Sequence, residues 1–448
     1  MDKNENKKNP SKMIQHYLSV KEKYKDCVLF YRLGDFYEMF FEDAVKVSEL
    51  LELTLTGKDC GLSERAPMCG IPFHAADTYI AKLVALGEKV AICEQVSEPN
   101  GKDLVEREVV KIITAGTFTN NEILDDKTNN FIACVYLDKL NAAVSWADIT
   151  TGEFFVREIS GDTVISSVLD LLVRISPSEI ISNENAATVF NGMSVIKHGV
   201  LPTFTEMLNA YFNHTNATEA IKKQFKVSNL NYLSLTDKKD AVSAAGALLT
   251  YFSDTQMRLL SNINRIIIEN SNDYLMLDIN AIRNLELVRT IRENKKYGSL
   301  LWLLDKTKTS MGARKLQSWL LTPVRDKRII NSRLDAVDAF FQNIAIRESV
   351  SDLLTSVKDI GRIAGKISND NITPKDCVSL KNSLAVLPSI KFRLSGLESD
   401  MIRNISDNLY DLGDTVKLLG ASLNDEQSGN YKEGGFIKKG RSEEHTSE

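Results

Sequence analysis

The sequence predicts a multidomain chain: a mixed α/β domain, a second α/β unit, and then an almost wholly helical remainder. Three observations carry that expectation. β-forming runs and amphipathic helical stretches alternate between Ser11 and about Asn120. Three strand-like runs, Phe131–Leu137, Ala142–Ala147 and Phe154–Ile159, follow a polar stretch (NNEILDDKTNN) that reads as a linker. From about Lys238 onward the apolar residues take helical spacing. A length of 448 residues suits three such parts, since a domain averages about 150 residues.

Each element has its own reason. Met13, Ile14, Tyr17, Leu18 and Tyr24 suit one face of an amphipathic helix. Cys27–Leu33 (CVLFYRL) is rich in β-formers and predicts a strand. Gly34-Asp35 signals a two-residue hairpin turn, because glycine reaches positive φ at no steric cost. Phe36–Phe40 returns as the second strand. Ala44, Val47, Leu50 and Leu51 predict a helix from Glu42 to Leu53. The segment from Pro67 to Pro72 is expected to interrupt regular structure. A helix from about Ala75 to Leu86, closed by Gly87, should lead into a strand at Lys89–Cys93. In the second unit Thr150-Thr151-Gly152 reads as a turn, and a helix is expected near Val164–Val173. Ile330, Leu334, Val337 and Phe341 share one helical face, while Pro323 and Pro374 mark breaks between helices.

Composition narrows the function classes. Hydrophobic residues make up 43% and charged residues 26%, an ordinary globular balance that excludes wholesale disorder or a collagen-like chain. No run approaches the roughly 18 apolar residues of a membrane-spanning helix. The polar start, MDKNENKKNP, lacks the apolar stretch of a secretory signal. Six scattered cysteines argue against a disulfide framework and for a cytoplasmic setting. The net charge of −5 means that any nucleic-acid site must be a local surface. Gly57-Lys58, Gly101-Lys102 and Gly365-Lys366 all lack the spacing of a phosphate-binding P-loop. The chain is therefore expected to have no catalytic site and not to hydrolyse ATP. The histidines have no zinc spacing, and no metal or other cofactor is expected. Arg441–Glu448 (RSEEHTSE) is abruptly polar and reads as a foreign or truncated tail on a piece of a longer protein.

One local pattern suggests a chemistry. Phe36 and Glu38 flank Tyr37 just after the turn, so in an extended strand they share one face. An exposed aromatic ring can wedge between stacked bases at a cost of a few kcal/mol. A mispaired base unstacks more cheaply, so the deformation itself discriminates. The carboxylate can then accept a hydrogen bond from a base edge. On spacing alone, core packing with a solvated acid is the commoner explanation.

The surrounding residues change that balance. Tyr31–Phe40 (YRLGDFYEMF) strongly resembles the signature of the MutS family of DNA mismatch-repair proteins. Ala66–Ala75 (APMCGIPFHA), Tyr79–Leu83, Val90–Gln95, Arg107–Thr114, Gly298–Asp305, Arg333–Val337 and Glu433–Ile437 are similar to further family stretches, in order. The resemblance covers nearly the whole chain up to about Gly440. It implies a mismatch-binding domain at 1–120, a ribonuclease-H-like α/β connector at 121–237 and all-α core and lever helices at 238–440, with 441–448 set aside. It makes Phe36 the base-stacking residue and Glu38 the base-contacting one. Lys58 and Lys111 become phosphate contacts, and Leu33, Gly70, Pro72 and His74 line the DNA. The implied partner is double-stranded DNA with mismatches or small loops, in the bacterial cytoplasm with the nucleoid and without a membrane. The family continues into a clamp and a P-loop ATPase that binds ATP and magnesium, forms a homodimer and engages downstream repair proteins. Two departures stand out: Ala115-Gly116-Thr117 replaces the usual Pro-Gly-Thr, and Lys58 and Lys111 stand where Arg is frequent. Lysine neutralises a phosphate but lacks the bidentate fork.

Two rivals remain at this level. A ribonuclease-H-like domain could hold metals with converging carboxylates, for which Asp138, Asp148 and Glu153 are available. All three lie beside turns, so solvated acids are expected instead. A repair-complex adaptor acting through the connector is the other.

Overall fold

The computed structural model describes residues 10–62, 64–97, 105–120, 123–197, 200–369, 371–425 and 435–438. These form two compact units. The first runs to Asp125 and includes Asn130–Ala147 and Ser176–Leu260; the second takes Asp126–Asn129, Asp148–Ile175 and the chain from Ser261. The mixed α/β character of the first part and the helical character of the last are as the sequence predicts.

The first unit opens with a six-stranded sheet. Its strands are β1 (Cys27–Leu33), β2 (Phe36–Phe40), β3 (Thr56–Lys58), β4 (Ala66–Pro72), β5 (Lys89–Gln95) and β6 (Arg107–Ile113). They lie in the order β3-β4-β2-β1-β5-β6. Only β1 and β5 run parallel; the other neighbours are antiparallel. The helix α1 (Lys12–Lys23) packs with Leu29, Tyr31 and Phe40 on one face, and α2 (Phe41–Leu51) and α3 (Ala76–Ala85) pack with Phe30, Tyr37 and Met39 on the other. A strand covered on both faces reads as a continuous apolar run, which explains CVLFY in β1. In α1 the buried face is Ile14, Tyr17 and Val20, while Leu18 is exposed.

The segment from Pro67 to Pro72 is not a break. It is β4, hydrogen-bonded between β2 and β3, with its prolines second and last in the strand. Proline is tolerated near strand ends, where fewer ladder bonds are lost. The polar stretch before Phe131 is likewise tied down where it is described. Leu124 packs against the first core, and the buried Asn130 amide donates to the carbonyls of Ala115 at 3.1 Å and Phe118 at 3.3 Å.

One buried carboxylate joins three elements. Asp43 on α2, 5% exposed, accepts from the Leu29 N–H at 3.0 Å, the Lys21 amine at 2.8 Å and the Tyr17 hydroxyl at 3.3 Å. Removing it takes the carboxylate from all three donors, of which Lys21 keeps the carbonyls of Lys25 and Cys27 and Tyr17 that of Phe40. Asp43→Ala should destabilise the domain by about 1–3 kcal/mol, the cost of unsatisfied buried polar groups. Urea unfolding followed by circular dichroism measures this, and an unchanged midpoint would contradict the assignment.

Later in the chain, the strand Ile132–Asp138 pairs antiparallel with Asn141–Asp148 and parallel with Glu179–Ser182, which pairs parallel with Phe204–Glu206. The helix Lys239–Gln256 is buried along most of its length in this same unit, although helical spacing alone suggested that the last part of the chain begins at 238. Its Tyr251 hydroxyl and the Thr114 hydroxyl each donate to the buried Glu179 carboxylate at 2.5 Å.

In the second unit, Glu153–Ser160 pairs parallel with Ile267–Ile268 and is followed by the helix Val164–Ile175. Helices follow one another from Leu300 to Ser422. Pro374 opens the helix Pro374–Ala385, capped by a reciprocal Thr373 and Asp376 pair; Pro323 follows the helix Ser310–Leu321. The helix Lys327–Gln342 carries Ile330, Leu334, Val337 and Phe341, and all four are exposed. The sequence's Glu433-Gly434 and the tail at 441–448 lie outside the described residues.

Candidate nucleic-acid interface

The hairpin between β1 and β2 sets the site. Gly34 takes φ +60°, the left-handed turn conformation that favours glycine. Leu33 and Phe36 therefore face each other across a two-residue loop. Phe36 also pairs with Pro72 on β4, so Leu33, Phe36 and Pro72 form one row across three strands. The Phe36 ring is 47% exposed. Two residues on, Glu38 projects from the same face, in register with Tyr31 on β1 and Gly70 on β4. A Cβ at Gly70 would lie 3.5 Å from Glu38 Cγ; the glycine is the bed over which this side chain lies.

Glu38 does not face solvent unaccompanied. Its Oε2 accepts from Lys58 Nζ at 2.5 Å, the lysine arriving from β3 and passing 5.8 Å from the Phe40 ring. His74, just beyond Pro72 in the 3-10 turn Phe73–Ala75, is exposed and sits edge-on to Phe73. Six of the eight residues expected to meet DNA, Leu33, Phe36, Glu38, Lys58, Gly70 and Pro72, thus share one face of the sheet by register, and His74 follows just beyond it.

Lys111 is the exception. It pairs with Ile92, which belongs to the core beneath α2 and α3, so it faces the opposite side of the sheet from Phe36 and Glu38. Burial lowers its amine pKa; Asp77 on α3 works against that shift and Arg258 adds to it.

The opposite face carries residues that pattern reading missed. The Arg32 guanidinium lies 3.8 Å from the Phe73 ring centroid and 5.5 Å from that of Tyr37, and pairs with Glu94 at 3.5 Å. Tyr37 donates to the same Glu94 carboxylate. Burial, and then that hydrogen bond, push the Tyr37 hydroxyl well above its usual pKa, so it stays a donor. The Phe73 N–H donates to the Asp35 carbonyl at 3.0 Å, locking the turn to the end of β4. These contacts stiffen the hairpin from behind, and alternation along β1 and β2 could have flagged the Arg32–Tyr37 side.

Two of the three acids considered for metal chemistry are otherwise engaged. Asp148 is 0% exposed, not a solvated turn acid. Its Oδ1 accepts from the Thr150 N–H at 2.8 Å and hydroxyl at 2.6 Å, and its Oδ2 from Asn129 at 3.0 Å. The reason is local: the turn's own donors need an acceptor once the strand is covered. Glu153 shares the Asn129 amide at 2.8 Å, and Asp138 is exposed at its strand end. Among the described residues no cluster of three or more His, Cys, Asp or Glu could hold a metal ion. Among the same residues no helix is long and apolar enough to cross a membrane.

Comparison with known proteins adds to this geometry. Residues 11–122 match the model of MutS domain I, residues 130–264 that of MutS domain II, and residues 280–447 that of MutS domain III. The DNA mismatch repair protein MutS of Caldanaerobacter subterraneus subsp. tengcongensis is 45% identical over 434 residues, covering 96% of this chain and 49% of that protein. The protein of the same name from Lachnoclostridium phytofermentans is 42% identical over 429 residues, covering 96% and 46%. That of Clostridium botulinum strain Kyoto is 44% identical over 433 residues, covering 96% and 46%. The chain thus spans about half the length of the relatives it matches. With three consecutive domain models matched in order along nearly all of it, the chain belongs to the MutS family.

Proposed function

We propose that the chain recognises mispaired or unpaired bases in double-stranded DNA and so starts mismatch repair. The observation that carries this reading is the exposed Phe36 ring beside the Glu38 carboxylate, on a hairpin buttressed from the other face by Arg32, Phe73 and Tyr37. The ring is the wedge, and its insertion tests how firmly a base is stacked. Glu38 then accepts a hydrogen bond from a base edge, which an intact pair does not offer. Leu33, Gly70, Pro72 and His74 form the surrounding surface. Lys111 is left out of this contact set, because it lies on the other side of the sheet.

The domain reading is 1–120 for mismatch binding and 121–237 for the connector, to which the helix Lys239–Gln256 is added because it packs there. The core and lever helices follow. In the whole protein this recognition is coupled to an ATPase that uses ATP and magnesium, to a homodimer and to downstream repair proteins, in the bacterial cytoplasm at the nucleoid.

The reading is tested by fluorescence anisotropy with two labelled duplexes that differ only in one mispair. Tighter binding of the mismatched duplex supports it. Equal affinities, or no binding to either, would overturn it.

A further inference from the structure

The DNA-free chain already has a partner for Glu38. Glu38 stands on β2 and Lys58 on β3, with β4 between them. They meet across β4, and the ammonium comes to rest 2.5 Å from Oε2. The carboxylate side chain is 15% exposed and the lysine 34%. So the acid that should probe a base is covered by a cation on the same sheet face.

We infer that Lys58 is the exchangeable counter-ion of Glu38, released to the DNA backbone when Glu38 finds a base partner. This rests on the reading given under Proposed function and assigns the lysine a role other than a constant phosphate contact. With the pair closed, Glu38 and Lys58 together bring no net charge toward the polyanion, so the acid adds no penalty to encounter. On a matched duplex no base edge competes for Glu38, and the pair stays closed. At a mispair the base donor takes the carboxylate, and the freed ammonium moves to the nearest phosphate. Recognition by one residue thereby adds a phosphate contact by another. Discrimination comes from the coupling, because the lysine contributes only where the glutamate has been satisfied.

The exchange has a signature that a fixed contact or a purely structural ion pair lacks. The logarithm of the association constant falls with the logarithm of salt concentration by about 0.9 for each phosphate neutralised on duplex DNA. The chain should therefore show a steeper salt slope on mismatched than on matched duplex, by about 0.9. Lys58→Met should abolish that difference by flattening the mismatched slope alone. Glu38→Gln should also abolish it, in the other direction, because the lysine is then free on both duplexes and the matched slope steepens. Titrations of both duplexes at four salt concentrations, with all three proteins checked for folding by circular dichroism, decide the matter. Equal slopes in the unaltered chain, with Lys58→Met flattening both by about 0.9, would show a constant phosphate contact and overturn the exchange. Slopes unmoved by Lys58→Met would overturn it too. A chain that does not prefer the mismatched duplex at any salt overturns the functional reading itself, which separates the two failures.

Discussion

Replacing Phe36 by Ala should abolish the preference for mismatched over matched duplex. Base–aromatic stacking is worth about 1–3 kcal/mol, so mismatch affinity should fall roughly tenfold to a hundredfold. Matched affinity should change little, because an intact duplex resists the wedge and gains little from it. The fold should not suffer. The ring is 47% exposed at the sheet end, and substitutions at such positions usually stay within about 0.5 kcal/mol. Anisotropy titrations on both duplexes and a urea melt separate the two effects. If Phe36→Ala unfolds the domain instead, the ring is core and the wedge account fails.

Glu38→Ala should act in the opposite sense on matched DNA. One change counts there: the neutral Glu38–Lys58 pair becomes a free ammonium that attracts phosphate. Exposed charge interactions are worth roughly 0.2–1 kcal/mol each, so matched duplex should bind about two- to fivefold tighter. At a mispair Lys58 is already released, so that gain is absent and the hydrogen bond to the base, a charged bond worth about 1.5–3 kcal/mol, is lost. Mismatch affinity should fall, and the ratio should collapse by at least about tenfold. On this account glutamate at this position discriminates by holding Lys58 back from normal DNA as well as by the bond it makes at a mispair. If Glu38→Ala weakens both duplexes equally, the residue serves general affinity or the fold.

Local pattern made the hairpin legible. Cys27–Leu33, Gly34-Asp35 and Phe36–Phe40 form the strand, turn and strand that alternation and turn chemistry predict. The relation of Phe36 to Glu38 follows from the same period. β4 was hidden because its two prolines and Gly70 imitate a loop, whereas its pairing on both sides is a tertiary fact. Lys58 and Lys111 look alike in sequence. Only sheet order and register put the first beside Glu38 and the second on the far face. Asp148 sits at a turn, and turn position suggests solvation; its burial depends on what covers the strand end, to which a linear pattern is blind. The Arg32–Phe73 stack joins segments some forty residues apart, for which no spacing rule exists.

The central claim is that the Phe36 ring unstacks a mispaired base, and base stacking can be observed directly. A fluorescent adenine analogue whose emission changes on unstacking would be placed beside a mispair in one duplex and at the same position in a matched control. Saturating unaltered chain should change the emission of the mismatched duplex and leave the control as it was. Phe36→Ala, added until the same fraction of duplex is bound, should leave both unchanged. An equal emission change with Phe36→Ala, or an equal change on the matched control, would contradict the account.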